Sequence, residues 1–207
     1  MIAVVDYGFG NIAGIKAALE QVCTQEVVIT SNAGQIEQAG KIVLPGAGSF
    51  PDAIDALNKA QLTRTIISCI VRGSHFLGIN LGMQMLFDVS YPGGQTTGFG
   101  YLPGKVVNFD FPTALTGRSL SAKHVGWDSL QINYQCPLFK NIQNGAKVYF
   151  AHSSHVITLE NSLIAAGCDY GYIFPAAVWR NNAFGVQFNP EDSGETGLAI
   201  LKNFTNL

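Results

Sequence analysis

Residues 75–84 read His-Phe-Leu-Gly-Ile-Asn-Leu-Gly-Met-Gln, "HFLGINLGMQ", and the helix-like "MQMLFDV" (83–89) continues from them. An apolar run, a glycine-flanked turn and a helix in that order lift one side chain out of the top of a sheet, the geometry that presents a nucleophile. The apex residue is Asn80, with Gly78 and Gly82 beside it. A carboxamide is no nucleophile. The elbow therefore predicts the fold while withholding the chemistry that elbows usually carry. Asn does suit the bend, because it tolerates positive φ better than most residues other than glycine.

Upstream of the elbow, apolar runs alternate with helical patterns. "IAVVDYG" (2–8), "EVVIT" (26–30) and "KIVLPG" (41–46) read as strands. Asn11 is placed to cap a helix in which Ile12, Ile15, Leu19 and Val22 share a face. "FPDAIDALNKAQL" (50–62) and "RTIISCIV" (64–71) read as helices. This β-α-β-α order predicts a parallel sheet with right-handed crossovers. From about residue 98 the pieces turn strand-like: "KVVNFDF" (105–111), "HVGWDSLQI" (124–132), "KVYFAHSSHVITL" (147–159), "LIAAGCDY" (163–170), "PAAVWR" (175–180) and "AFGVQF" (183–188). Turn signals such as Asn144-Gly145 separate them, which predicts antiparallel ribbons at one edge of the sheet. A last helix, "TGLAILKNFTNL" (196–207), sets Leu198, Leu201 and Phe204 on one face. The expectation is one α/β domain over 1–207, with a mainly parallel central sheet flanked by helices and antiparallel strands in its C-terminal half.

Composition excludes several functions. Charged residues are 13% of the 207 and hydrophobic ones 47%; ordinary soluble domains carry about 25% charged residues. The surface is then either rich in Asn, Gln, Ser and Thr or partly covered by another protein. No Lys/Arg run offers a footprint for nucleic acid. No apolar run approaches the ~18 residues of a membrane span. The opening "MIAVVDYG" reads as a first strand rather than a secretory leader, which points to the cytoplasm. Cys23, Cys69, Cys136 and Cys168 are widely spaced and form no C-x-x-C pair, so they read as reduced thiols. No metal and no cofactor are expected.

Three stretches are candidates for chemistry. Gly8-Phe9-Gly10-Asn11-Ile12-Ala13 fits a dinucleotide fingerprint, but "EVVIT" ends in Thr30 and lacks the acid that holds a ribose. A plain turn, or one used for protein contact, is the favoured reading. In "LPGAGSF" (44–50), Gly46 and Gly48 let backbone N–H groups converge as an oxyanion hole. In "GVQFNPEDS" (185–193), an x-Pro-Glu turn after an apolar strand is placed to deliver a base and its orienting carboxylate. Glu191 is present, but Asn189 stands at the base position.

Taken with "DYGFGNI", "GINLGMQMLF", "LPGKVVNF", "HVGWD", "VYFAHSSHV", "DYGYIFPAAV", "FGVQFNPEDSGETGL" and "ILKNF", these stretches span the chain. In them it resembles the class I (triad) glutamine amidotransferases, and within these the glutaminase subunits of imidazole glycerol phosphate synthases. The resemblance implies a flavodoxin-like sheet and hydrolysis of glutamine to glutamate and ammonia through a cysteine thioester. It also implies delivery of the ammonia to a (β/α)₈-barrel cyclase of histidine biosynthesis. Carried over by position, Asn80 stands where the family has its nucleophile and Asn189 where it has its base. Glu191 completes the triad. Gly46, Gly48 and Leu81 form the oxyanion site. Gln84, Ser153 and Ser154 lie along a glutamine pocket. Asn11 and Trp127 face the cyclase.

With two of three triad positions held by amides, the expectation is a subunit dead as a glutaminase that still docks on its cyclase. Three other readings stand beside it: an active subunit inactivated by deliberate substitution, a homologue in an amidino-sugar pathway, and a stand-alone small-molecule binder.

Overall fold

In the first strand, β1 (Ile2–Val5), Ile2 and Val4 enter one apolar cluster and Ala3 and Val5 another. Both sides of this strand are buried, as the two-residue alternation of a strand requires in a sheet covered on both faces. The computed structural model describes residues 1–111, 120–133 and 135–207. Around β1 stand β2 (Val27–Thr30), β3 (Lys41–Leu44) and β4 (His75–Ile79), all parallel. β14 (Ala183–Val186) adds to β4, also in parallel. Then β13 (Ile173–Arg180), β12 (Ile164–Asp169) and β9 (Gln131–Ile132) continue the sheet in antiparallel fashion. The order is β2-β1-β3-β4-β14-β13-β12-β9.

Helices cover both faces. α1 (Ile12–Val22) buries Ile15 and Leu19 on one face, next to the C-terminal helix α6 (Gly194–Thr205) with Ile200, Leu201 and Phe204. The opposite face holds α2 (Ala33–Gln38), α3 (Phe50–Lys59) and α4 (Leu62–Arg72), through Ile36, Leu57 and Ile66 among others. Asn11 caps α1 as its position predicts, its Oδ1 accepting from Gly14 N–H at 3.1 Å. Leu198 lies at the margin of its cluster rather than inside it.

Two expectations need correcting. The helix read into "MQMLFDV" is one turn, α5 (Leu81–Gln84), followed by strand β5 (Phe87–Ser90). The carbonyls that would continue the helix are taken by a returning loop. Met85 O accepts from Phe99 N–H, Leu86 O from Leu102 N–H and Phe87 O from Gly100 N–H. The later strands are also not confined to one edge of the main sheet. β11 (Ser154–Ile157), β7 (Leu102–Asn108), β5 and β6 (Thr96–Thr97) form a second sheet. β8 (His124–Ser129) and β10 (Lys147–His152) make a two-stranded ribbon. Period-two patterning gives strands but no partner, and here partners are drawn from three sheets.

Candidate functional site

β4 and β14 run side by side, and their ends carry Asn80 and Asn189. Asn80 sits at φ 55°, ψ −111°, a backbone region that side chains rarely adopt. It is held there by Asn80 N–H donating to Val186 O at 2.7 Å. Gly82 makes the tight exit possible. A Cβ at that position would lie 2.0 Å from the Leu44 carbonyl oxygen.

The Asn80 side chain is fully engaged. Its Nδ2 donates to Asn189 Oδ1 at 3.1 Å and to Ala151 O at 3.2 Å. Its Oδ1 accepts from Gln187 Nε2 at 3.1 Å. Gln187 is fully buried, and its Oε1 accepts from Gln84 Nε2 at 2.9 Å. Gln84 Nε2 also donates to Ser154 O at 3.0 Å, and Ser154 Oγ donates to Gln84 Oε1 at 3.2 Å. An unbroken chain of amides thus runs from Asn189 through Asn80, Gln187 and Gln84 to Ser154. Sequence reading missed Gln187. A Gln inside the apolar run "AFGVQF" was the signal, since a buried amide needs partners.

A cavity of about 290 Å³ opens over the elbow. Gly48, Asn80, Leu81, Gln84, Ser153 and Ser154 line it, so six of the expected positions converge. Lys123, Val125 and His152 also line it and were not anticipated. Lys123 brings an amine to a pocket otherwise lined by amides, serines, apolar side chains, His152 and backbone. His152 Nδ1 donates to Ser154 O at 2.9 Å, and burial pushes its imidazole down to about 3, so the ring is neutral.

The oxyanion stretch meets the elbow differently from the expectation. Leu81 N–H donates to the Gly46 carbonyl at 3.3 Å, so Gly46 offers an oxygen and Leu81 N–H is already bonded. Gly48, at φ 98°, remains on the cavity wall. The segment is anchored by Tyr7 OH donating to Pro45 O at 2.7 Å. The "GFGN" turn abuts it too, for a Cβ on Gly10 would lie 2.8 Å from Gly46 N.

Glu191 does not orient Asn189. The Asn189 amide Nδ2 donates instead to Asp192 Oδ2 at 3.1 Å. Glu191 Oε2 is buried with no hydrogen-bond partner among the described residues, and burial, aided by the Asp192 charge, pushes the carboxyl up to about 7. Asn11 is occupied as a helix cap, and Trp127 stands 54% exposed on β8.

The site can hold a small polar ligand. No thiol lines the cavity among the described residues, and the apex amide cannot ionise.

A family model described as "Glutamine amidotransferase class-I" matches residues 3–207. The imidazole glycerol phosphate synthase subunit HisH of Syntrophotalea carbinolica is 39% identical over 207 residues, covering all of both chains. The subunit of the same name from Caldanaerobacter subterraneus subsp. tengcongensis is 43% identical over 204 residues, covering 99% of this chain and 97% of its own. Among solved structures, a glutamine amidotransferase aligns with TM-score 0.73 at 16% identity, over 99% of this chain and 100% of that one. PurLQS from Thermotoga maritima aligns with TM-score 0.71 at 18% identity, over 99% and 97%. At such identities the solved structures speak for the fold alone. The family match and the full-length relatives go further: this chain belongs to the class I glutamine amidotransferases.

Proposed function

We propose that this chain is the amidotransferase-type subunit of an imidazole glycerol phosphate synthase, acting as one domain over 1–207. In this reading it docks on a (β/α)₈-barrel cyclase without hydrolysing glutamine. The full-length relatives named HisH support the subunit assignment. The observation that carries the catalytic half of the reading is the hydrogen bond between Asn80 and Asn189.

The two positions that would attack the amide carbon and take up a proton hold neutral carboxamides bonded to each other. A thiol ionises near neutrality beside a cation or helix N-terminus. A carboxamide does not, and its nitrogen lone pair is delocalised. In a hydrolase triad that works as a unit, removing the nucleophile costs on the order of 10⁶-fold in kcat. With no nucleophile to activate, loss of the base adds little. Water is a poor substitute, because neither amide can take up its proton and Glu191 does not line the cavity.

Docking rests on different residues. Val125 and Trp127, 59% and 54% exposed, alternate with buried His124 on β8, and Val125 also borders the cavity mouth. Large apolar side chains standing out beside a pocket suit a protein partner. The subunit would close the ammonia entrance of the cyclase or bias its conformation, while free ammonia serves as nitrogen donor.

The test is to mix the chain with its barrel cyclase at micromolar concentration, follow complex formation by gel filtration and calorimetry, and assay glutamate release. A stoichiometric complex with glutamate at background is expected. Absence of a complex removes the docking reading, and glutamine turnover removes the catalytic one.

A further inference from the structure

His124, on β8, is 2% exposed and sandwiched between aromatic rings, Tyr170 at 4.0 Å and Phe150 at 4.5 Å between centroids. Its hydrogen bonds fix its tautomer. His152 gives its Nδ1 proton to the Ser154 carbonyl, so His152 Nε2 is the acceptor of the 3.1 Å bond from His124 Nδ1. The Nδ1 proton of His124 is thereby committed. His124 Nε2 is left with its lone pair inward, buried and without a hydrogen-bond partner among the described residues.

What that nitrogen faces is a carboxylate and a thiol. Asp128 Oδ2 lies 3.3 Å away, and the Sγ of Cys168, fully buried on β12, completes a trio whose donor atoms all lie within 4.8 Å of one another. An acceptor against an acceptor, with a sulfur beside them, is an arrangement that asks for a cation. A ring nitrogen backed by an N–H bond from its other nitrogen is also how ligating histidines are oriented.

We propose that His124 Nε2, the Asp128 carboxylate and Cys168 Sγ form a site for one divalent cation of the zinc class. Donors on one tetrahedral zinc lie roughly 3.2–3.8 Å apart, given bonds of about 2.0–2.3 Å. The trio closes to that spacing by side-chain rotation of Cys168 and of the half-exposed Asp128. The mixed nitrogen, oxygen and sulfur set selects zinc or cobalt over magnesium or calcium. Water from the Asp128 side fills the fourth position. Binding transfers the thiol proton to solvent and leaves the metal on a thiolate. Because His124 and Asp128 belong to the ribbon and Cys168 to the main sheet, the ion pins the ribbon in place. The site is independent of the docking reading above.

The test titrates tag-free, reduced, metal-stripped full-length chain with cobalt(II) chloride under anaerobic conditions. Expected is a thiolate-to-cobalt charge-transfer band in the near ultraviolet that saturates at one equivalent and is bleached by zinc chloride. Cys168→Ser abolishes the band and Asp128→Asn weakens binding, both judged on variants whose far-ultraviolet circular dichroism matches the parent. Should serine not be tolerated at the buried position, Asp128→Asn carries the comparison alone. Stoichiometric zinc raises Tm of the parent more than that of either variant. No saturable band in the folded parent overturns the proposal, and so does a band of parental strength in Cys168→Ser or parental affinity in Asp128→Asn.

Discussion

Asn80 donates its side-chain amide to Asn189 across 3.1 Å, and each of the two is held from its other side, Asn80 by Gln187 and Asn189 by Asp192. The two amides are therefore not idle fillers of the elbow and of the turn after β14. They cross-link the ends of β4 and β14 above the sheet.

Reversal of both amides is expected to restore turnover if pocket and oxyanion stretch are otherwise intact. The double variant Asn80→Cys, Asn189→His, assayed with the cyclase present, should release glutamate above background. Asn80→Cys alone should lag behind it by about 10²–10⁴-fold, the usual contribution of a general base. Equal rates for the single and double variants would mean that Asn189 is not at the base position.

The backbone at Asn80 separates strain from bonding. At φ 55° and ψ −111° a residue with a Cβ is strained by about 1–3 kcal/mol. Asn80→Ala and Asn80→Gly lose the same side-chain bonds, but only glycine relieves the strain. After glycine's extra unfolded-state entropy of roughly 0.5–1 kcal/mol, the glycine variant should be the more stable by about 1 kcal/mol in urea denaturation. An alanine variant as stable as the glycine one would show that the elbow is relaxed.

The half of the fold before Asn80 was legible because parallel strands buried on both faces write continuous apolar runs between helical periods. β5 was not, since "MQMLFDV" fits either period and the choice was made by carbonyl acceptance from residues 99–102. Of the site, the convergence of Gly48, Asn80, Gln84 and Ser154 followed from the resemblance, whereas Gln187 and Lys123 did not. Nor did the turn of Asn189 toward Asp192. That depends on side-chain length at one position, a distance that no pattern in the sequence encodes.

Trp127 tests the partner surface. It is 54% exposed and meets Tyr149 edge-on at 6.0 Å, so its removal costs the isolated chain little. Trp127→Ala should leave Tm within about 2 °C, as for a surface change of under ~0.5 kcal/mol. A buried aromatic anchor in an interface is worth about 2–4 kcal/mol, so affinity for the cyclase should fall at least about 30-fold by calorimetry. Unchanged affinity would place the interface elsewhere.

Glu191 makes stability depend on pH in an unusual direction. Its folded carboxyl is raised to about 7 from an ordinary 4.5. Below the ordinary value both folded and unfolded chains hold the proton, and there is no penalty. Between 4.5 and 7 the unfolded chain releases it while the folded chain retains it, so this residue's contribution falls as pH rises. The loss levels off above pH 7 at about 3 kcal/mol. Glu191→Gln carries no such proton. Against the parent in urea denaturation, it should be similar at pH 4.5 and more stable by up to about 3 kcal/mol at pH 8. A constant difference between the two curves across that window would mean that Glu191 titrates normally in the fold.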